Sequence, residues 1–156
     1  MRATASGKII SAFDIARVLA LGADWCNSAR GFMFALGCIQ SQSCHTDRCP
    51  TGVSTQDRAR QRALVVPDKA ERVYNFQRAT VESLAELVAA AGLDHPGQFA
   101  PAHFSRRVSP HEVKNFAELY PSLQPGELIA GTGDKRFEIA WAMASAKEFR
   151  AVPRAA

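Results

Sequence analysis

Ser6-Gly7-Lys8-Ile9-Ile10-Ser11-Ala12-Phe13-Asp14-Ile15-Ala16-Arg17-Val18-Leu19-Ala20-Leu21-Gly22-Ala23-Asp24-Trp25-Cys26-Asn27-Ser28 reads as a helix between two short strand-like pieces. Ser6 to Ile10 is a small-residue turn joined to a β-branched pair. Ser11 has the chemistry of an N-cap, and Asp14 three residues later completes a capping-box pattern. Ile15, Val18 and Leu19 fall on one helical face, and Gly22 supplies the stop. Ala23 to Ser28 reads as a short buried strand. Ala29-Arg30-Gly31 then turns the chain into Phe32-Met33-Phe34-Ala35-Leu36-Gly37, an apolar helical turn or two. A pair of parallel strands does not make a stable sheet alone, because such strands need covered faces and more neighbours. The fold class expected is therefore α/β, with this segment the end of a larger α/β domain.

Downstream, the pattern turns helical. Cys38 to Gly52 is a polar loop without apolar periodicity, and a basic stretch from Thr55 to Arg62 leads to Pro67, a good first helical residue. From there to about Ala91, the residues Val73, Phe76, Leu84, Leu87, Val88 and Ala91 form one face, and Gly92 ends the helix. Leu93 to Phe104 reads as a loop rich in Pro, Gly and His. Ser109-Pro110-His111-Glu112 carries a second helix-start signature and predicts a helix to about Leu119. Pro121, Pro125 and Gly126 break the chain, and a last helix is expected over Arg136 to Phe149, presenting Phe137, Ala140, Trp141 and Ala144. No internal repeat is visible. The expected organisation is the end of a larger α/β domain over 1–37, a cysteine loop over 38–56 and a mainly helical extension over 57–156.

The composition, 47% apolar and 22% charged, is ordinary and so excludes little. No apolar run reaches the length of a membrane span, and no apolar stretch follows Arg2 as a secretory signal requires. A reducing, cytoplasmic setting is the resulting expectation. The net charge of +4 is dispersed. Arg58, Arg60 and Arg62 alternate and Arg106-Arg107 form a second small group, without the basic stripe or reader motif of a nucleic-acid binder.

The local anomaly is Cys38-x5-Cys44-x4-Cys49-Pro50, which holds three of the four cysteines. Clustered thiols in a reducing compartment point to metal or redox chemistry before disulfides. Iron–sulfur clusters are held by closely spaced cysteine thiolates, often with Pro after the last one, and three thiolates match a cuboidal cluster lacking one iron. Zinc prefers four tetrahedral ligands in more tightly spaced pairs, and would need His45, Cys26 or Asp47 as the fourth. Reactive or merely buried cysteines remain a third reading. A weaker signal lies in Gly7 and in Ala29-Arg30-Gly31, each following a strand-like piece. In eight-stranded α/β barrels, loops in such positions hold phosphate, helped by helix N-terminal N–H groups, and Arg30 adds charge. The plainer reading is that these glycines serve tight turns. His95, His103 and His111 are scattered, Trp25 and Trp141 read as packing residues, and there is no phosphate-binding P-loop, nucleophile elbow or His-Glu-x-x-His motif.

These residues resemble a known family. Gly7-Lys8-Ile9-Ile10, the run Asp14 to Asp24, Ala35-Leu36-Gly37-Cys38 and Cys44-His45-x3-Cys49-Pro50-Thr51-Gly52-Val53-x-Thr55-Gln56 are together similar to the FMN-binding domain of glutamate synthases. The likeness is densest from Gly7 to Gln56 and continues through Leu64 to Val73. It implies the C-terminal portion of a (β/α)8 TIM barrel, with the last two strands opening this chain. It implies that Gly7, Lys8, Ser28, Ala29, Arg30 and Gly31 hold the FMN phosphate, and that Cys38, Cys44 and Cys49 ligate a 3Fe-4S cluster. It also implies the family's reaction, reductive formation of L-glutamate from 2-oxoglutarate and ammonia or glutamine nitrogen, in which flavin delivers hydride and the cluster relays electrons. About six further strands would precede this segment in the family's barrel. The chain is thus expected to be incomplete alone and to work with the remainder of the barrel, an amidotransferase and an electron-donor subunit. The alternative from another class is a stand-alone iron–sulfur electron-transfer module or a zinc-stabilised structural module.

Overall fold

Thr4–Ser6 (β1) pairs in parallel with Trp25–Asn27 (β2), Thr4 opposite Trp25, Ala5 opposite Cys26 and Ser6 opposite Asn27. These strands belong to a computed structural model that describes residues 2–149 of the chain. Between them runs α1, Ala12–Ala20. Its start follows from local chemistry: the Ser11 hydroxyl accepts the Asp14 N–H, and the Asp14 carboxylate accepts the Ser11 N–H at 3.0 Å, so the capping box read from sequence is present. Gly22, left-handed at φ +101, ends it as expected. Two expectations change here. Only Cys26 of β2 is partly buried while Trp25 is 47% exposed, because a two-stranded ribbon offers little cover. The fully buried face of α1 is Ala12, Ala16 and Ala20, with Ile15, Val18 and Leu19 only half-buried. Alanines spaced by four let the α1 backbone approach a neighbouring helix closely.

That neighbour is α4. After α2 (Ala29–Leu36) and a short α3 (Arg58–Gln61), α4 spans Val66–Ala90 with Pro67 in its first turn, and both α1 and α2 pack against it. Val73, Phe76, Leu84, Leu87 and Val88 form its covered face, as the periodicity required, whereas Ala91 lies exposed just past its end. Ala29-Arg30-Gly31 forms the first turn of α2 and not a connecting turn.

The core sits where α1 and α4 meet the segment that follows. Ala16, Ala20, Val88, Phe99, Phe104 and Phe116 are buried together, with Leu84, Leu87, Leu93 and Leu119 around them. The Phe104 ring packs on Phe13, Phe99 and Phe116 at 5.5, 5.5 and 5.7 Å between centroids. The helix expected from Ser109 is absent. Ser105–Ser109 (β3) and Glu112–Asn115 (β4) instead form an antiparallel hairpin turning at Pro110-His111, followed by a short α5, Phe116–Leu119. Phe104 and Phe116 bracket the hairpin in the core and are joined by the Phe116 N–H to the Phe104 carbonyl at 2.9 Å. This packing outweighs the local helix-start signal. The extension therefore mixes helix and strand.

Residues 2–119 form one compact unit and the described residues 120–149 belong to another. The second contains α6 (Glu127–Ala130) and α7 (Lys135–Met143), the latter capped by Asp134 accepting the Arg136 N–H at 3.0 Å. The helix expected to reach Phe149 stops at Met143. The Ser145 hydroxyl accepts the Lys147 and Glu148 N–H groups, offering the backbone an alternative to the helix. Among the described residues no helix is long and apolar enough to cross a membrane.

Candidate functional site

The two strand-to-helix turns are joined at their tips. Gly7 (φ +100) and Lys8 (φ +56) are successive left-handed residues after β1, and Ile9 behind them is 2% exposed. The Ser28 hydroxyl, at the end of β2, donates to the Ile9 carbonyl at 2.7 Å. That bond takes the hydroxyl away from capping, so no side chain caps α2. The first N–H groups of α2 are then left for an outside acceptor, and the helix dipole favours an anion there.

Ala29 and Arg30, in that first turn, line a cavity of about 340 Å³ together with Met33, Phe34, Cys38, Gln40, Gln42 and Cys44. Two of the expected phosphate residues and two of the expected cluster ligands thus share one cavity. Gly7, Lys8, Ser28, Gly31 and Cys49 are not in its wall. Gly31 is bare for another reason: a Cβ there would come within 2.7 Å of the Phe76 ring on α4, where Phe32 already packs edge-on at 5.2 Å. Its absence of a side chain is explained by helix packing.

Cys38 is half-buried behind Gly37 (φ +106), which ends α2; Cys44 is exposed in a short helical turn, Cys44–Thr46; Cys49 is buried. The Cys49 Sγ lies 3.5 Å from the Thr51 hydroxyl. The Thr51 hydroxyl first, then the backbone N–H groups of Ser54, Thr51 and Val53, bring the Cys49 thiol down to about 7 despite burial. Such a pocket of donors stabilises a thiolate, the form that binds metal. Burial pushes the Cys26 thiol the other way, up. No three His, Cys, Asp or Glu side chains among the described residues converge as a single-ion site requires. A cluster makes a different demand, because each thiolate meets its own iron and the sulfurs stand further apart. Three cysteines on one loop, one of them stabilised as thiolate, are the donor type that such a cluster takes.

Asp47, weighed in the sequence as a fourth ligand, has another task. Left-handed at φ +60, it accepts the Gln56 N–H on its carboxylate at 2.6 Å, while its backbone carbonyl accepts the Thr55 hydroxyl at 2.6 Å. The Gln56 N–H first, then the Thr55 hydroxyl, hold the Asp47 carboxyl below the usual range, with Arg60 assisting against desolvation. Gln61 donates to the Thr55 carbonyl at 2.7 Å and Gly52 lies under the α3 backbone, so the loop is folded back on α3. Sequence reasoning missed Thr51, Ser54, Thr55 and Gln61. Thr51 and Thr55 stand in the stretch that carries the resemblance, but nothing there marks them, Ser54 or Gln61 as hydrogen-bonding partners until the loop is seen to return.

The model of a conserved region in glutamate synthase matches residues 1–94, from the first strand to just beyond α4. The chain is 44% identical over 115 residues to the glutamate synthase large subunit-like protein YerD of Bacillus subtilis (strain 168), a match covering 74% of this chain and 22% of that protein. It is 36% identical over 90 residues to the archaeal glutamate synthase [NADPH] of Methanocaldococcus jannaschii, covering 58% of this chain and 18% of the relative. With the ferredoxin-dependent glutamate synthase 2 of Synechocystis sp. it shares 34% identity over 91 residues, covering 58% of this chain and 6% of that protein. The chain therefore spans about a fifth or less of these relatives. No solved structure matches it. A family model covering more than half of its length shows that the chain belongs to the glutamate synthase family.

Proposed function

We propose that this chain supplies the closing segment of a glutamate synthase barrel: its last two strands, part of the FMN phosphate cradle and the loop for a 3Fe-4S cluster. The observation that carries the reading is the shared cavity, in which Ala29 and Arg30 at the start of α2 stand with Cys38 and Cys44. In this reading β1 and β2 are the end of a (β/α)8 barrel whose other strands flank the pair. Gly7, Lys8, Ser28, Ala29, Arg30 and Gly31 form the phosphate turns, with Arg30 and the uncapped N–H groups of α2 holding the anion. Cys38, Cys44 and Cys49 hold the cluster in the reducing cytoplasm.

When bound, FMN supplies the hydride and the cluster the one-electron chemistry that form L-glutamate from 2-oxoglutarate and ammonia or glutamine nitrogen. This chain's residues bind and orient. The α2 dipole and Arg30 fix the phosphate, the Thr51 hydroxyl and the nearby backbone N–H groups favour the thiolate form of Cys49, and the apolar Met33 and Phe34 help to exclude water from the cavity. Catalysis then requires the remainder of the barrel, a source of ammonia such as an amidotransferase, and an electron-donor subunit.

The test is metal and sulfide analysis with EPR on chain purified without oxygen. The reading expects about three irons per chain with matching acid-labile sulfide. Replacing Cys38, Cys44 or Cys49 by Ser should lose the iron, and Cys26→Ser should keep it. One zinc per chain without sulfide, or iron lost on Cys26→Ser, would sink the assignment.

A further inference from the structure

We infer that Asp47 is a positioning residue: its carboxylate and carbonyl tie the turn between Cys44 and Cys49 to Thr55-Gln56 and so pre-set the loop for its cluster. The inference rests on the proposed cluster reading but goes beyond the three thiols. Between Cys44 and Cys49 there are only four residues, so wherever Asp47 is held, both cysteines are held close by. Asp47 makes two crossing bonds over a gap of eight to nine residues, carboxylate to the Gln56 N–H and carbonyl to the Thr55 hydroxyl, both at 2.6 Å. The far side of this clamp is anchored in turn, because Gln61 of α3 donates to the Thr55 carbonyl and the Thr55 hydroxyl accepts the Asp57 N–H at 3.1 Å. Thr55 itself is buried. Asp57 caps α3, so the chain of bonds runs from the cysteine turn to a helix start.

The geometry at Asp47 also restricts which residue can do this. With φ at +60, a side chain there must tolerate the left-handed region and still present an acceptor beside its own backbone. Aspartate and asparagine do both; glycine tolerates the backbone but offers no acceptor. Asp47→Gly and Asp47→Asn therefore separate the hydrogen-bonding role from mere backbone tolerance. Outer partners that orient metal ligands commonly matter by about ten-fold or more in affinity.

Two readouts on the full chain decide the matter. In cluster-free protein, amide hydrogen exchange should show the Gln56 N–H protected in the parent and in Asp47→Asn but exchanging at least about ten-fold faster in Asp47→Gly, with α4 protection unchanged as the control for folding. On anaerobic reconstitution with iron and sulfide, the parent and Asp47→Asn should load fully, and Asp47→Gly should need about ten-fold more iron or lose its cluster correspondingly faster to a chelator. Equal Gln56 protection or equal loading in Asp47→Gly would overturn the positioning role. Failure of the parent to load, with the Gln56 difference intact, would overturn the cluster reading while leaving the clamp as a purely structural tie.

Discussion

Gly52 and Gly92 are both left-handed, at φ +79 and +70, yet they stand in different surroundings. A Cβ on Gly52 would lie 2.4 Å from the Arg60 carbonyl oxygen, a backbone atom that cannot swing away, whereas one on Gly92 would meet nothing within 4 Å. Alanine at Gly92 should therefore cost only the left-handed penalty, about 1 kcal/mol. At Gly52 the same penalty is joined by a clash that must separate the cysteine loop from α3, for a total of about 3 kcal/mol. Urea unfolding of the two variants checks this, and equal midpoints would refute the close approach. The cysteine spacing is legible in the sequence because residue type and interval are local facts. The Asp47 tie is not, because an aspartate's partner eight or nine residues away depends on a loop that folds back.

At the scale of elements, the start of α1 shows what sequence can specify. Ser11 and Asp14 satisfy each other's backbone neighbours within one turn, so the signal and the structure are the same few residues. Burial alone would raise the Asp14 pKa, but hydrogen bonds from the Ser11 N–H and hydroxyl and the Ile10 N–H, with Arg17 nearby, outweigh it and hold the carboxyl below its ordinary value. A folded pKa below the unfolded one gives stability that is complete above the unfolded value, about 3.9, and lost as pH falls through the folded one. Thermal melts from pH 6 down to about 2 should thus show a parent that loses more stability than Asp14→Asn, which keeps an acceptor without titrating. Ser11→Ala should cost about 1 kcal/mol at neutral pH. The hairpin β3–β4 shows the opposite case. Ser109, Pro110 and Glu112 carry helix-start chemistry, but Pro110 sits in a turn where Arg107 donates to its carbonyl at 3.0 Å. Phe104 and Phe116 decide the outcome from outside the strands, and nothing within Ser109 to Glu112 could announce them.

On the whole-molecule scale, β1 and β2 pair only with each other among the described residues, and Trp25 at the start of β2 stands 47% exposed. If further barrel strands flank the pair, as proposed, supplying the preceding part of the barrel as a separate polypeptide should cover Trp25. Its fluorescence should shift to the blue in a Trp141→Phe background, which leaves Trp25 as the only tryptophan. An unchanged spectrum, with binding established independently, would place the barrel contact elsewhere. The long α4 was legible at this scale because it follows from periodicity, and the opening strand–helix–strand from its caps and β-branched residues, whereas the β3–β4 hairpin was not. The division after residue 119 was not, because it reflects where contacts thin out and not any single breaker.

The packing of α4 against both α1 and α2, with Gly31 pressed under Phe76, has a consequence for any attempt to make a minimal version of this segment. Every residue of this chain proposed to touch flavin or iron lies before position 50, so a peptide ending at the cysteine loop would contain all the ligands that this chain is proposed to contribute. It would lack the helix from 66 to 90 that serves as the common back plate for both strand–helix units. On the proposed reading, this chain's ligands and the helix that backs them are written in different stretches, and the smallest piece able to contribute its share of the site extends to the end of α4.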